Sequence, residues 1–218
     1  MDRLIGCAVV LAAGGWLFGA GCGDDADGTP DVVDGAVDAP PDVRDGAPDE
    51  PIGPGDYPAG PYGILIGDRI ENLRFVDIDG NPLSLADIHN DLSVKLLWID
   101  ASAGWCTVCG IESAAMPALY GTYRPRGLEI LGVIFEDGSG APATVSYARN
   151  YATRYRWDFP AVADEPFVMG RYFDKAATPM NMLVDLTDME IVEIEMGWDA
   201  AGFEALIQLH LAAIADRS

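Results

Sequence analysis

The chain has 218 residues, half of them hydrophobic, and a formal charge of −22 from 35 acidic and 13 basic side chains. That composition leaves room for one packed domain plus extensions, and the charge repels phosphate backbones, which argues against nucleic acid as a partner. With four cysteines, two of them near the N-terminus, there is no multi-disulfide framework.

Residues 1–21 join a short start containing Arg3 to a mostly apolar run, Leu4 to Ala20, that ends in small residues. This is the layout of a signal peptide; a transmembrane anchor is the rival, because the run approaches spanning length. Its glycines and alanines favour the signal. Cys22, after Phe18-Gly19-Ala20-Gly21, resembles the processing site of a bacterial lipoprotein, where the cysteine becomes the lipid-bearing first residue. Gly19 stands where such sites usually carry a leucine-like residue, and ordinary cleavage nearby is the alternative. The resemblance implies lipidation at Cys22, membrane attachment through that lipid, and a place on the periplasmic side of the cell envelope.

Residues 22–61 read as an acidic, Asp/Gly/Pro-rich disordered tether. Between Gly23 and Asp56 there are eleven acids and one base, Arg44, and Asp31-Val32-Val33-Asp34-Gly35-Ala36 recurs imperfectly as Asp42-Val43-Arg44-Asp45-Gly46-Ala47. Such a segment buries too little apolar surface to offset its ordering entropy.

Residues 62–218 form the predicted domain. Leu73 to Ile78, the turn Asp79-Gly80-Asn81-Pro82 and Leu83-Ser84-Leu85 read as a β-hairpin, followed by a short helix near Ala86-Asp87-Ile88. The Asp-x-Asp-Gly could bind calcium, but a turn explains it better. Val94 to Asp100 suits a buried central strand, Thr107 to Tyr123 a helix containing Pro117, and Leu128 to Phe135 a second central strand. Thr144 to Tyr155 is helical, with Ala148, Tyr151, Ala152 and Tyr155 on one face, and Asp158 to Ala163 is extended. Met180 to Asp185 and Ile191 to Met196 flank a turn, and Trp198-Asp199 can cap a last helix with Phe203, Ile207, His210 and Ile214 on one face. This order predicts an α/β fold, a central mixed sheet with helices on both faces and an extra N-terminal hairpin.

Cys106 and Cys109 are the cysteines of that domain. Zinc would need four ligands, and the domain offers only His89 and His210 besides, so no metal is expected. A structural disulfide is a better rival, yet a loop this short removes little unfolded-state entropy. The pair lies between a strand and a helix, which favours redox chemistry. Cys106 would begin the helix, where backbone N–H groups and the helix dipole stabilise a thiolate and make it the attacking nucleophile. Cys109, one turn on, would resolve the mixed disulfide. Trp105 would rim the site or simply pack in the core.

At Trp105-Cys106-Thr107-Val108-Cys109, at the opening hairpin from Gly67 to Leu85, and at Thr178-Pro179, the chain resembles the thioredoxin superfamily. The nearer branch is the TlpA/ResA-like and redoxin group of envelope thiol-disulfide oxidoreductases, over roughly Ile64 to Ile214. The resemblance implies a thioredoxin-like three-layer fold and exchange of the Cys106–Cys109 disulfide with protein thiols or disulfides, fed by an upstream electron donor, without a cofactor. It places a cis-proline at Pro179, opposite the cysteines, with Thr178 against bound peptide. It assigns a proton-relaying carboxyl to Glu112, the rival being a surface glutamate in a helix's first turn. Asp100 falls at the family's buried aspartate; if the strand ends at Ile99, it is solvated instead. The chain departs from the pattern at Thr107-Val108, which lacks the common proline, at Pro117, and at Ala101-Ser102-Ala103-Gly104. A peroxiredoxin-like peroxidase is the alternative enzyme, although Ala103 stands where those enzymes carry a threonine; a tethered binding module with an inert disulfide is the non-enzymatic one.

Overall fold

The structure, a computed structural model, describes residues 57–217. The signal peptide, Cys22 and nearly all of the tether lie outside the described residues. Among those described, seven strands and four α-helices follow in the order β1 (Arg74–Asp77), β2 (Pro82–Ser84), α1 (Leu85–His89), β3 (Leu96–Ala103), α2 (Thr107–Tyr123), β4 (Leu128–Glu136), α3 (Val145–Tyr155), β5 (Ala161–Ala163), β6 (Met180–Asp185), β7 (Glu190–Met196) and α4 (Ala200–Arg217).

The strands make one mixed sheet in the order β2-β1-β5-β4-β3-β6-β7. β3, β4 and β5 are parallel, whereas β6, β7 and the hairpin β1–β2 join antiparallel. All eight residues of β3 are buried, because the strand is flanked by β4 and β6 and covered on both faces. It runs through Asp100 to Ala103 and so excludes a solvated Asp100.

The alternation of side chains along β3 and β4 divides the core. Leu96, Trp98 and Ile130 pack with Met116 of α2 and with Phe203, Ile207 and Leu211 of α4, while Ile134 on the same face meets Ala148 and Tyr151 of α3. Leu97, Ile99, Leu131, Val133 and Phe135 point the other way. There they are covered by Leu85 and Ile88 of α1 and by Met169, Tyr172 and Phe173. Helices therefore cover both faces, but the three long ones share one of them.

Local chemistry explains the element ends. The carboxylate of Asp87 accepts the backbone N–H of Ser84 at 2.7 Å, which starts α1 at Leu85, one residue before the Ala86 start that the sequence predicts. Asp77 Oδ1 accepts the N–H groups of Asp79 and Asn81, both at 2.8 Å, and Gly80 adopts φ 89°, so this loop is a side-chain-braced turn. Thr144 caps α3 by accepting the Tyr147 N–H at 3.2 Å. The extended segment expected from Asp158 shortens to Ala161–Ala163. On α4 the buried stripe is Phe203, Ile207, Leu211 and Ile214; His210 sits beside it with Nε2 3.8 Å from Glu193 Oε2 on β7.

The stretch between β5 and β6, for which periodicity gave no reading, holds two 3-10 helices, Val168–Arg171 and Lys175–Ala177. Buried Asp164 accepts the N–H groups of Val168 and Met169 at 2.8 and 3.0 Å, and Asp174 accepts that of Ala176 at 2.8 Å. These caps carry the chain back to the end of β3 where the cysteines lie.

Candidate active site

After Ala103 the chain turns at Gly104, whose N–H donates to the Glu136 carbonyl at 2.9 Å. A side chain at Gly104 would collide with the Tyr147 hydroxyl and with the Gly138 backbone, so the turn requires glycine. α2 then starts with Cys106 as its N-cap, and the Cys109 N–H donates to the Cys106 sulfur at 3.0 Å. The two cysteines are joined in a disulfide with Cα atoms 5.2 Å apart. Cys106 is at the edge of burial, 9% exposed, and Cys109 is fully buried. In the reduced form the same N–H and helix N-terminus would face the Cys106 sulfur.

Asp100 on β3 and Glu112, one turn after Cys109 on α2, are both fully buried. Burial pushes both carboxyls well above the ordinary carboxylate range. Ser102 Oγ partly opposes this at Asp100, donating at 2.9 Å, whereas the charge of Asp100 raises Glu112 further. Neither oxygen of Glu112 has a hydrogen-bond partner. The Asn181 amide opposes the shift of Glu112; the same amide donates to the Gly197 carbonyl at 3.1 Å and accepts from Trp98 Nε1 at 2.6 Å. Ser113, next to Glu112, hydrogen-bonds Tyr151 at 3.0 Å. The result is a polar cluster in an otherwise apolar layer, holding protons that exposed carboxyls would have released.

The mouth of the site is apolar and open. Trp105, Val108 and Ile111 are exposed around the cysteines, and a groove of about 610 Å³ lined by Trp105, Cys106, Ile111, Arg154 and Tyr155 runs alongside. On the opposite wall the Thr178 carbonyl lies 3.9 Å from the Cys106 sulfur, and the Thr178–Pro179 bond is cis. Cys106, Trp105 and Thr178 thus lie at one opening, while Cys109, Pro179, Asp100 and Glu112 are buried. Among the described residues no cluster of three or more His, Cys, Asp and Glu could hold a metal ion, and no helix is long and apolar enough to cross a membrane.

Residues 66–188 match the AhpC/TSA family. The chain belongs to it. Thiol-disulfide oxidoreductase ResA of Bacillus anthracis is 26% identical over 132 residues, which is 61% of this chain and 70% of ResA. Among solved structures, a thiol:disulfide interchange protein of the thioredoxin family from Chlorobium tepidum superposes with a TM-score of 0.53 at 19% identity, over 66% of this chain and 95% of that one. Peroxidoxin BcpB from Mycobacterium tuberculosis gives 0.54 at 16%, over 70% and 99%. These likenesses establish the thioredoxin-like fold of this AhpC/TSA chain, while the two neighbours carry different names on one scaffold.

Sequence reasoning missed Asn181, Ser102, Ser113 and Tyr151, which complete the buried cluster, and Glu136 and Lys175 at its mouth. A signal existed for Asn181 and Ser102: each is a polar residue inside a strand whose neighbours are almost all apolar.

Proposed function

We propose that this chain is a thiol-disulfide oxidoreductase acting on protein partners through Cys106 and Cys109. The observation that carries the reading is the placement of Cys106 as the N-cap of α2, with the Cys109 N–H 3.0 Å from its sulfur. Starting from the disulfide, a partner thiolate attacks the Cys106 sulfur. A partner–Cys106 bond forms, the Cys106–Cys109 bond breaks, and the electron pair leaves on Cys109, which takes a proton from the carboxyl of Glu112 or Asp100. A second partner thiolate then attacks the partner's own sulfur, so the partner ends as a disulfide and Cys106 as a thiolate. The reverse sequence reduces a partner disulfide, and repeated turnover in that direction requires an upstream dithiol donor. Trp105, Thr178 and Pro179 form the walls that a partner peptide meets.

The N-terminal sequence supports a finer reading: export, lipidation at Cys22, and the tether from Cys22 up to Tyr57, whose hydroxyl donates to the Ile70 carbonyl at 2.8 Å, as a spacer holding the domain off the periplasmic side of a membrane. The test of the activity uses the full chain with Cys7 and Cys22 replaced by Ser, reduction of insulin disulfides being followed with dithiothreitol as donor. Catalysis that Cys106→Ser abolishes is the expected result. The likeness to Peroxidoxin BcpB supplies the second reading, a peroxidase. Rapid consumption of hydrogen peroxide with no insulin reduction would establish it in place of the first.

A further inference from the structure

At the mouth of the site one carboxylate contacts two segments that are distant in sequence. Glu136 ends β4, next to the turn that delivers the cysteines, and its side chain is only 13% exposed. One oxygen, Oε2, accepts the indole N–H of Trp105 at 2.7 Å. The other, Oε1, pairs with the ammonium of Lys175. That ammonium lies over the rings of Phe167 and Phe135, 4.4 and 5.7 Å from their centroids. Trp105 immediately precedes Cys106, and Lys175 belongs to the 3-10 turn that leads into Thr178–Pro179. Glu136 therefore bridges the two walls of the opening, from partners 31 and 39 residues away in sequence.

We propose that Glu136 is a positioning residue that fixes Trp105 and the Lys175–Pro179 segment in register, so that a partner protein meets a preformed groove beside Cys106. This rests on the exchange reaction proposed above. A fixed indole and a fixed loop reduce the side chains that must be ordered when a protein docks, and such ordering is a large part of the cost of association. A small disulfide reagent needs only the Cys106 sulfur, so it should not register the difference. The bridge is charge-assisted on the lysine side and partly shielded from water, which makes it stronger than an exposed ion pair.

The test compares the full chain carrying Cys7→Ser and Cys22→Ser with the same chain carrying Glu136→Ala, on insulin and on the small reagent 5,5′-dithiobis(2-nitrobenzoate). The expected result is a KM for insulin raised about tenfold, the order of one lost charge-assisted hydrogen bond. The kcat and the rate with the small reagent should stay within about twofold. Trp105→Phe keeps the ring and removes the donor, so it should reproduce part of the KM effect, and Glu136→Ala added to it should give less than the product of the two effects. Glu136→Gln, which keeps an acceptor for the indole, should recover part of the loss. An unchanged KM in Glu136→Ala, or a parallel fall in both reactions, overturns the inference. A parent chain inactive on both disulfides would instead overturn the exchange reading itself.

Discussion

Replacing Glu112 with Gln exchanges a buried acid for a neutral amide of nearly the same shape, and the consequence can be worked out with its sign. Burial, and secondarily the charge of Asp100, raises the folded-state pKa of Glu112 above its ordinary 4.5. Above that ordinary value the unfolded chain has released the proton while the folded chain still holds it. The unfolded state therefore binds fewer protons, and stability falls as pH rises until the folded-state pKa is passed. One full proton of difference corresponds to about 1.4 kcal/mol per pH unit. Between pH 5 and 7 the parent should thus lose about 2.7 kcal/mol relative to Glu112→Gln from this group alone. The amide has its own burial penalty of about 1–3 kcal/mol, but that term does not change with pH. Urea unfolding of the oxidised protein at pH 5, 6 and 7 keeps the cysteines from titrating and measures the slope directly. A stability difference that stays constant across this range would refute the reasoning, because it would mean that Glu112 ionises in the fold as it does in the unfolded chain.

Brief alkylation of the reduced protein with iodoacetamide should label Cys106 well before Cys109, since Cys109 is fully buried and Cys106 is at the surface edge; peptide mapping that finds Cys109 labelled first would reverse their roles. Asn181→Leu should lower stability by about 1–3 kcal/mol for each group left unpaired, these being the Trp98 indole N–H and the Gly197 carbonyl, and an unchanged denaturation midpoint would contradict it. Ser102→Ala removes a hydrogen bond that favours ionised Asp100, so the pKa of Asp100, followed by its carboxyl infrared band, should move further up; a downward movement would show that another group sets it. Cys22→Ser should release the protein from the membrane fraction of cells, whereas full retention would indicate an uncleaved N-terminal helix.

Much of the candidate site was legible before the fold was known, and for physical reasons. Trp105-Cys106-Thr107-Val108-Cys109 lies between an apolar run and a helical pattern, which already places one sulfur at a helix start and the other a turn inside. Glu112 could be placed on that helix by counting, yet periodicity would equally have allowed a surface carboxylate. Its complete burial depends on α2 packing against the sheet beside Trp98 and Asp100, a contact between residues distant in sequence. His210 shows the same limit from the other side: its spacing fits the apolar stripe of α4, but the helix is rotated so that Leu211 fills the core.

The sequence by itself determined the succession of strands and helices, because alternation and helical spacing report how each segment is buried. It also marked Cys106 and Cys109 as the candidate pair and Asp79-Gly80 as a turn, because pair spacing and turn residues are local properties of the chain. Tertiary structure alone decided that β5 inserts between β4 and the hairpin, that all three long helices share one face, and that Glu136 joins Trp105 to Lys175. Those outcomes depend on which buried surfaces and charged groups meet across the sheet, and a linear pattern shows that a residue is buried without showing what it is buried against.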